Sequence, residues 1–264
     1  MRPPAGADIS APEFPPDREW LGVPFLQIAK LLGTHAVLVE FFDFARVHSL
    51  RTLPYLLAWH ERYAEAGLTV VGVHSPGYSF GRDASVVASA VGALDVPFPV
   101  CLDPDFAVWR LYGNRGWPGR YLFDRKGILR DLHYGEGEYE PAELTIQELL
   151  LEIDPELDLP EPLAPIRPEE ELGALLEPQT ADVVLPRDRG RLELVRDWID
   201  GEDYIEAADA GGSASVEYRG GGAWAVLSGV VTPGVYDTGG RVVAESPGVR
   251  LHGFQFLPGP PLAD

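Results

Sequence analysis

The sequence predicts an α/β domain with a mixed central sheet flanked by helices, followed by a small all-β sandwich. Three observations carry this. Apolar, β-branched runs alternate with helix-period segments as far as residue 153. A proline-rich acidic stretch then breaks the pattern. Beyond it, short alternating runs recur between glycine clusters at a spacing of about ten residues, as in antiparallel sandwiches.

The chain has 264 residues, enough for one large or two modest domains, and 45% of them are hydrophobic, so a real core is affordable and wholesale disorder is excluded. Its 21 basic and 41 acidic side chains leave a formal charge of −20. Such a surface repels phosphate backbones and anionic lipid, which argues against nucleic-acid and membrane-surface roles. A single cysteine, Cys101, rules out an intramolecular disulfide, a dithiol site and a cysteine-rich metal cluster. Met1 to Gly6 lack the apolar core of a secretory signal, and 18 apolar residues never run together, so the default expectation is a cytoplasmic protein without direct membrane insertion.

Residues 1–18 are rich in proline and acidic residues and read as an arm that lies over a domain or dangles. Ala36 to Phe42 is a near-continuous apolar run, as in a strand buried on both faces. Leu50 to Glu65 has apolar residues at helical spacing, with Gly67 as its stop signal and Pro54 as an expected kink. Leu68 to His74 reads as a second buried strand, 83–94 as a helix, Phe98 to Leu102 as a third strand and Phe106 to Tyr112 as a short helix. Arg120 to Asp124 and Ile128 to His133 flank a turn at Arg125-Lys126-Gly127 and predict a hairpin; a helix over about 141–153 closes the domain.

Leu151 to Leu172 holds prolines 155, 160, 162, 165 and 168 and eight acidic residues against one base, Arg167. Extended and self-repelling, it reads as a linker over 154–170. In 171–264, strand-like runs fall at Asp203–Ala207, Ser215–Arg219, Ala223–Leu227, Val242–Ala244 and Val249–Phe256.

Four ordered segments carry a family resemblance. Phe41 to Leu56, Gly72-Val73-His74-Ser75-Pro76, Tyr112 to Pro118 and Tyr134 to Tyr139 are similar to motifs of DipZ-type and TlpA-like thiol–disulfide oxidoreductases, within the thioredoxin-like redoxin and peroxiredoxin superfamily. The resemblance implies a thioredoxin-like fold over 19–153, a cis-proline at Pro118, and a carbohydrate-binding-module-like sandwich over 171–264. The membrane-spanning half of full DipZ-type proteins has no counterpart in this sequence.

The same resemblance exposes a departure. The family's Cys-x-x-Cys falls on Arg46-Val47-His48-Ser49. Dithiol exchange needs a thiolate at the helix N-terminus and a second thiol one turn on; arginine and serine supply neither. At that helix end Arg46, His48, Ser49 and Arg51 could hold a carboxylate, sulfate or phosphate, or Arg46 is a solvated replacement. Trp117 beside Pro118 could wall a ligand groove, or both are inherited packing. Cys101, in an apolar run, is either a redox thiol or a small core hydrophobe. His74 and His133 are expected near the active-site end, without the carboxylate of a metal set. Glu136-Gly137-Glu138 and Glu169-Glu170-Glu171 read as solvated faces. Trp198, Tyr204, Tyr218 and Trp224 could form a sugar platform or a core.

The leading expectation is therefore a redox-inactive binding or scaffold protein, without cofactor or metal, whose partner is an unknown protein, a small anion or a glycan. The alternatives are an oxidoreductase or peroxide reductase working through Cys101 or a partner thiol, and a glycan-binding protein acting through its C-terminal sandwich.

Overall fold

The computed structural model describes residues 8–171, 173–176 and 178–259. The chain divides into two compact units. The first takes the described residues up to Phe44, then His48–Pro76 and Gly81–Pro165; the second takes Ala45–Val47, Gly77–Phe80 and the described residues from Ile166 onward.

The first unit runs β1 (Trp20–Leu21), β2 (Ala36–Phe42), α1 (Val47–Tyr63), β3 (Leu68–His74), α2 (Ala84–Ala93), β4 (Val100–Leu102), α3 (Ala107–Leu111), β5 (Gly119–Phe123), β6 (Leu129–Tyr134) and α4 (Tyr139–Ile153). Its sheet has the order β1-β4-β3-β2-β5-β6. β2 pairs parallel with β3 and antiparallel with β5, so the sheet is mixed; every β2 residue is buried, which is why all of them but Glu40 are apolar. β3 can lie close to its neighbours because position 72 is glycine: a Cβ there would stand 2.9 Å from the Phe42 ring.

The described part of the N-terminal arm lies on this unit. Ala11 N–H donates to Gly127 O, Leu129 N–H donates to Ile9 O, and Phe14 is buried edge-on to Trp20. Residues 1–7 of the expected arm fall outside the described residues. α1 begins three residues earlier than the apolar spacing suggests and runs unbroken through Pro54.

The first half of the acidic stretch is tied down rather than free. The buried Glu143 carboxylate on α4 accepts from Trp59 Nε1 at 3.0 Å, Arg62 Nη1 at 2.6 Å, the Tyr63 hydroxyl at 2.6 Å and Leu163 N–H at 2.9 Å. Gln147 Nε2 donates to Pro160 O at 2.7 Å. Four donors on one carboxylate offset the cost of burying its charge, and they fix α1, α4 and residues 160–163 together.

The second unit adds β7 (Val183–Val184), β8 (Glu193–Val195), β9 (Trp198–Asp200), β10 (Ile205–Ala207), β11 (Ser213–Ser215), β12 (Gly222–Gly229), β13 (Gly234–Asp237), β14 (Arg241–Val243) and β15 (Val249–Leu257). They form two antiparallel sheets, β13-β12-β15-β10-β9 with β7 on β15, and β14-β11-β8. Ala214 and Val242 from the smaller sheet share one apolar core with Ala225, Leu251, Phe254 and Phe256 from the larger. The strand expected over 215–219 forms earlier, at β11.

One buried pair sets a pH dependence. Glu40 and Arg120, opposite each other on β2 and β5, are both 1% exposed. Arg120 Nε donates to Glu40 Oε2 at 3.3 Å, and the guanidinium lies 5.0 Å from the Trp59 ring centre. Glu40 Oε1 and Arg120 Nη1 and Nη2 have no hydrogen-bond partner. Burial pushes the Glu40 carboxyl up to about 7, against the pull of Arg120. A carboxyl raised in the folded state contributes stability below its unfolded value and loses it as pH rises through the folded one, a swing of about 3 kcal/mol here. Urea unfolding at about pH 5 and about pH 8 should therefore show Glu40→Gln gaining on the parent protein as pH rises. Parallel pH dependences would mean that burial does not raise Glu40.

Candidate functional site

The turn between β2 and α1 carries Arg46, Val47, His48 and Ser49. Any strand-to-helix turn leaves backbone groups without intrahelical partners. Ser49 takes one: Asp43 N–H donates to its buried hydroxyl oxygen at 3.3 Å. Gln255, 1% exposed on β15, takes two more. Val47 N–H donates to Gln255 Oε1 at 2.7 Å, and Gln255 Nε2 donates to Ala45 O at 2.8 Å, with the Tyr78 hydroxyl 3.3 Å away. All of these Gln255 partners belong to the second unit. The carboxamide thus clasps the turn as one strand pairs with another.

Arg46 is neither solvated nor poised over an open anion site. Its guanidinium lies 4.9 Å from the Tyr78 ring centre, with Nη1 3.9 Å from Asp182 Oδ2. His48 and Arg51, one turn apart on α1, converge instead on Glu136. His48 Nδ1 bonds Glu136 Oε1, and Arg51 Nε donates to Oε2 at 2.8 Å. Burial alone would raise the Glu136 carboxyl; the hydrogen bonds from His48 and Arg51 outweigh it and hold the group below the usual range. The anion expected at this helix end is supplied by the chain itself. Glu136, read from sequence as part of a solvated face, has a side chain only 18% exposed.

The remaining expected residues scatter. Trp117–Pro118 is a cis peptide, and Trp117 Nε1 donates to Ser75 O at 2.9 Å, so the indole is anchored. His74 is buried beside the turn, its ring stacked 5.3 Å from Phe44 and Nε2 3.4 Å from Asp43 Oδ1. His133 bonds Glu136 O through Nε2. Cys101 is fully buried in β4, and burial pushes its thiol up to about 12. Among the described residues, no three His, Cys, Asp or Glu side chains are placed to hold a metal. In the second unit Trp198 is core, Tyr218 stacks on Phe256, and Arg250 covers Tyr204, so these aromatics do not share an open platform.

A buried chain of polar groups in the second unit was not visible in the sequence. Ser228 Oγ lies 2.7 Å from His252 Nε2, and His252 Nδ1 lies 3.0 Å from Asp203 O and 3.3 Å from its carboxylate. Burial opposes ionisation of Asp203, but hydrogen bonds from His252 and Ser79 hold it down to about 2. The order of groups is that of a nucleophile–base–acid triad. With Ser228 at 4% and His252 at 1% exposure, it serves here as a packing pin beneath Tyr78 and Phe80.

No family model matches the chain. Among solved structures it is similar to a thioredoxin-like protein determined in solution in its oxidized form, with a TM-score of 0.50 and 23% identity over 55% of this chain and 97% of that one. Sheet order, cis-proline and fold match together give the first unit a thioredoxin-like fold, which antiparallel sheets follow in the chain. Its similarity is more particular in sequence. It is 33% identical to the protein DipZ of Mycobacterium tuberculosis, and equally to that of Mycobacterium bovis, over 174 residues, 65% of this chain and 25% of DipZ. It is also 30% identical over 128 residues to the chloroplastic protein Suppressor of Quenching 1 of Arabidopsis thaliana, 48% of this chain and 12% of that one. The match thus spans about a quarter of DipZ's length. Among the described residues, no helix is long and apolar enough to cross a membrane.

If Glu136 fills an anion site, removing it should open one. Sulfate at about ten times its dissociation constant stabilises a protein by about 1.4 kcal/mol, or about 3 °C in Tm for a chain of this size. Glu136→Ala should show that rise in thermal melts and the parent protein should not. Equal responses would show that the carboxylate occupies no such site.

Proposed function

We propose that this chain works by binding, as a redox-inactive thioredoxin-like scaffold. The observation that carries the proposal is the turn itself: Arg46 and Ser49 stand where dithiol exchange needs cysteines, and the Val47 N–H at the helix start is taken by Gln255. A catalytic thiolate depends on such N–H groups to lower its pKa. The other thiol offers no substitute. A group raised to about 12 is ionised in roughly one molecule in 100,000 at neutral pH, and Cys101 has no exposed surface for a disulfide to reach.

The partner this reading favours is a protein. The anion alternative has its place filled by Glu136, and the glycan alternative lacks an exposed aromatic platform among the residues singled out for it.

Insulin-disulfide reduction with dithiothreitol tests the reading. The parent protein should match the reagent background; Arg46→Cys/Ser49→Cys should exceed it, and adding Gln255→Ala, which frees the Val47 N–H, should raise the rate further. Activity in the parent protein that is lost in Cys101→Ser would overturn the proposal in favour of a redox enzyme.

A further inference from the structure

In the first unit a cavity of about 760 Å³ lies between the N-terminal arm, the segment after α3 and one face of β5–β6. That volume falls in the range of small-molecule sites, about 300–1,000 Å³. Its walls are aromatic. Tyr112 and Tyr121 meet edge to face with centres 5.7 Å apart, Tyr121 and Tyr134 do so at 6.2 Å, and Phe123 lies 6.2 Å from Tyr112. The hydroxyls are already used. Tyr112 donates to Pro12 O at 2.9 Å, and Tyr121 and Tyr134 share a hydrogen bond of 2.9 Å. What the walls offer a ligand is apolar surface, chiefly from the half-buried Tyr134 and Leu132 above a buried floor of Tyr112, Tyr121, Phe123 and Leu129.

Charge selects further. The chain carries 41 acidic side chains, yet not one lines this cavity. Strand alternation explains part of this: Leu132 pairs with Tyr121 and shares its face, while Asp131 pairs with Leu122 and points to the other. Arg115 does line the cavity; it is exposed, and no hydrogen bond or ion pair engages it among the described residues. A free guanidinium at an aromatic cavity matches a flat ligand with a negative group, which it can hold by paired charge-assisted hydrogen bonds.

We propose that this cavity binds a small planar aromatic anion, a carboxylate or sulfonate, with its ring against Tyr134 and Leu132 over the buried Tyr112–Tyr121 floor and its charge on Arg115. This site is separate from the β2–α1 turn and independent of what the turn does.

The test is a calorimetric titration of the full chain with anilinonaphthalene sulfonate, alongside the uncharged parent amine. One saturable site per chain is expected, with the amine bound at least about tenfold more weakly, since the charged hydrogen bond is lost. Arg115→Glu, at an exposed position, should weaken the sulfonate by at least about the same factor. Leu132→Trp, which places an indole in the cavity, should abolish binding of both compounds while circular dichroism reports an unchanged fold. Absence of saturation, equal binding of sulfonate and amine, or binding untouched by either variant would overturn the proposal.

Discussion

The turn after β2 must find partners for backbone groups that neither strand nor helix can satisfy, and the way it does so governs what the protein can do. Leaving one such group buried and unpaired costs about 1–3 kcal/mol. In this chain two neutral side chains meet that demand: Ser49 accepts from Asp43 N–H, while Gln255 accepts from Val47 N–H and donates to Ala45 O. A thiolate at position 46 would need some of the same donors. This turn therefore differs from a dithiol turn in more than the side chains at 46 and 49, because the Val47 N–H is committed to a carboxamide.

Electrostatic satisfaction follows the same logic elsewhere, and its completeness sorts the buried carboxylates. Glu143 receives four donors and acts as a rigid junction. Glu136 is hydrogen-bonded by His48 and Arg51 and held below the usual carboxylate range at the helix start. Glu40 receives one, at 3.3 Å, with its second oxygen and two Arg120 nitrogens left without partners, and burial dominates its titration. The net charge of −20 predicts none of these differences, since they depend on how many donors reach each group.

Similarity to DipZ and to a solved thioredoxin-like structure describes the scaffold, and a scaffold can be kept while its chemistry is exchanged. Here the elements that position a thioredoxin-type site remain: a buried parallel strand ending at the turn, a helix starting in it, and a cis-proline loop. The residues that would react do not. The same framework holds both a fixed turn and, separately, a cavity with an aromatic floor.

Much of the architecture was legible in the sequence, because burial on both faces forces continuous apolar runs and α-helices force a 3.6-residue period. The main strands β2, β3, β5 and β6, the four helices of the first unit and the antiparallel character of the second follow from such patterns, and the loss of the dithiol follows from Arg46 and Ser49 alone. Strands of two to four residues, such as β7, β8, β9 and β13, are too short to show a period. Gln255 left a faint trace as a polar residue between Phe254 and Phe256 in a strand where all three are buried, but nothing local says what it would meet. Its partners lie 208 and 210 positions away in the chain. The pairing of Glu136 with His48 and Arg51, the chain from Ser228 to Asp203 and the acid-free lining around Arg115 are likewise long-range. Periodicity records which face of an element is buried; only the folded chain decides which distant side chain arrives there to satisfy it.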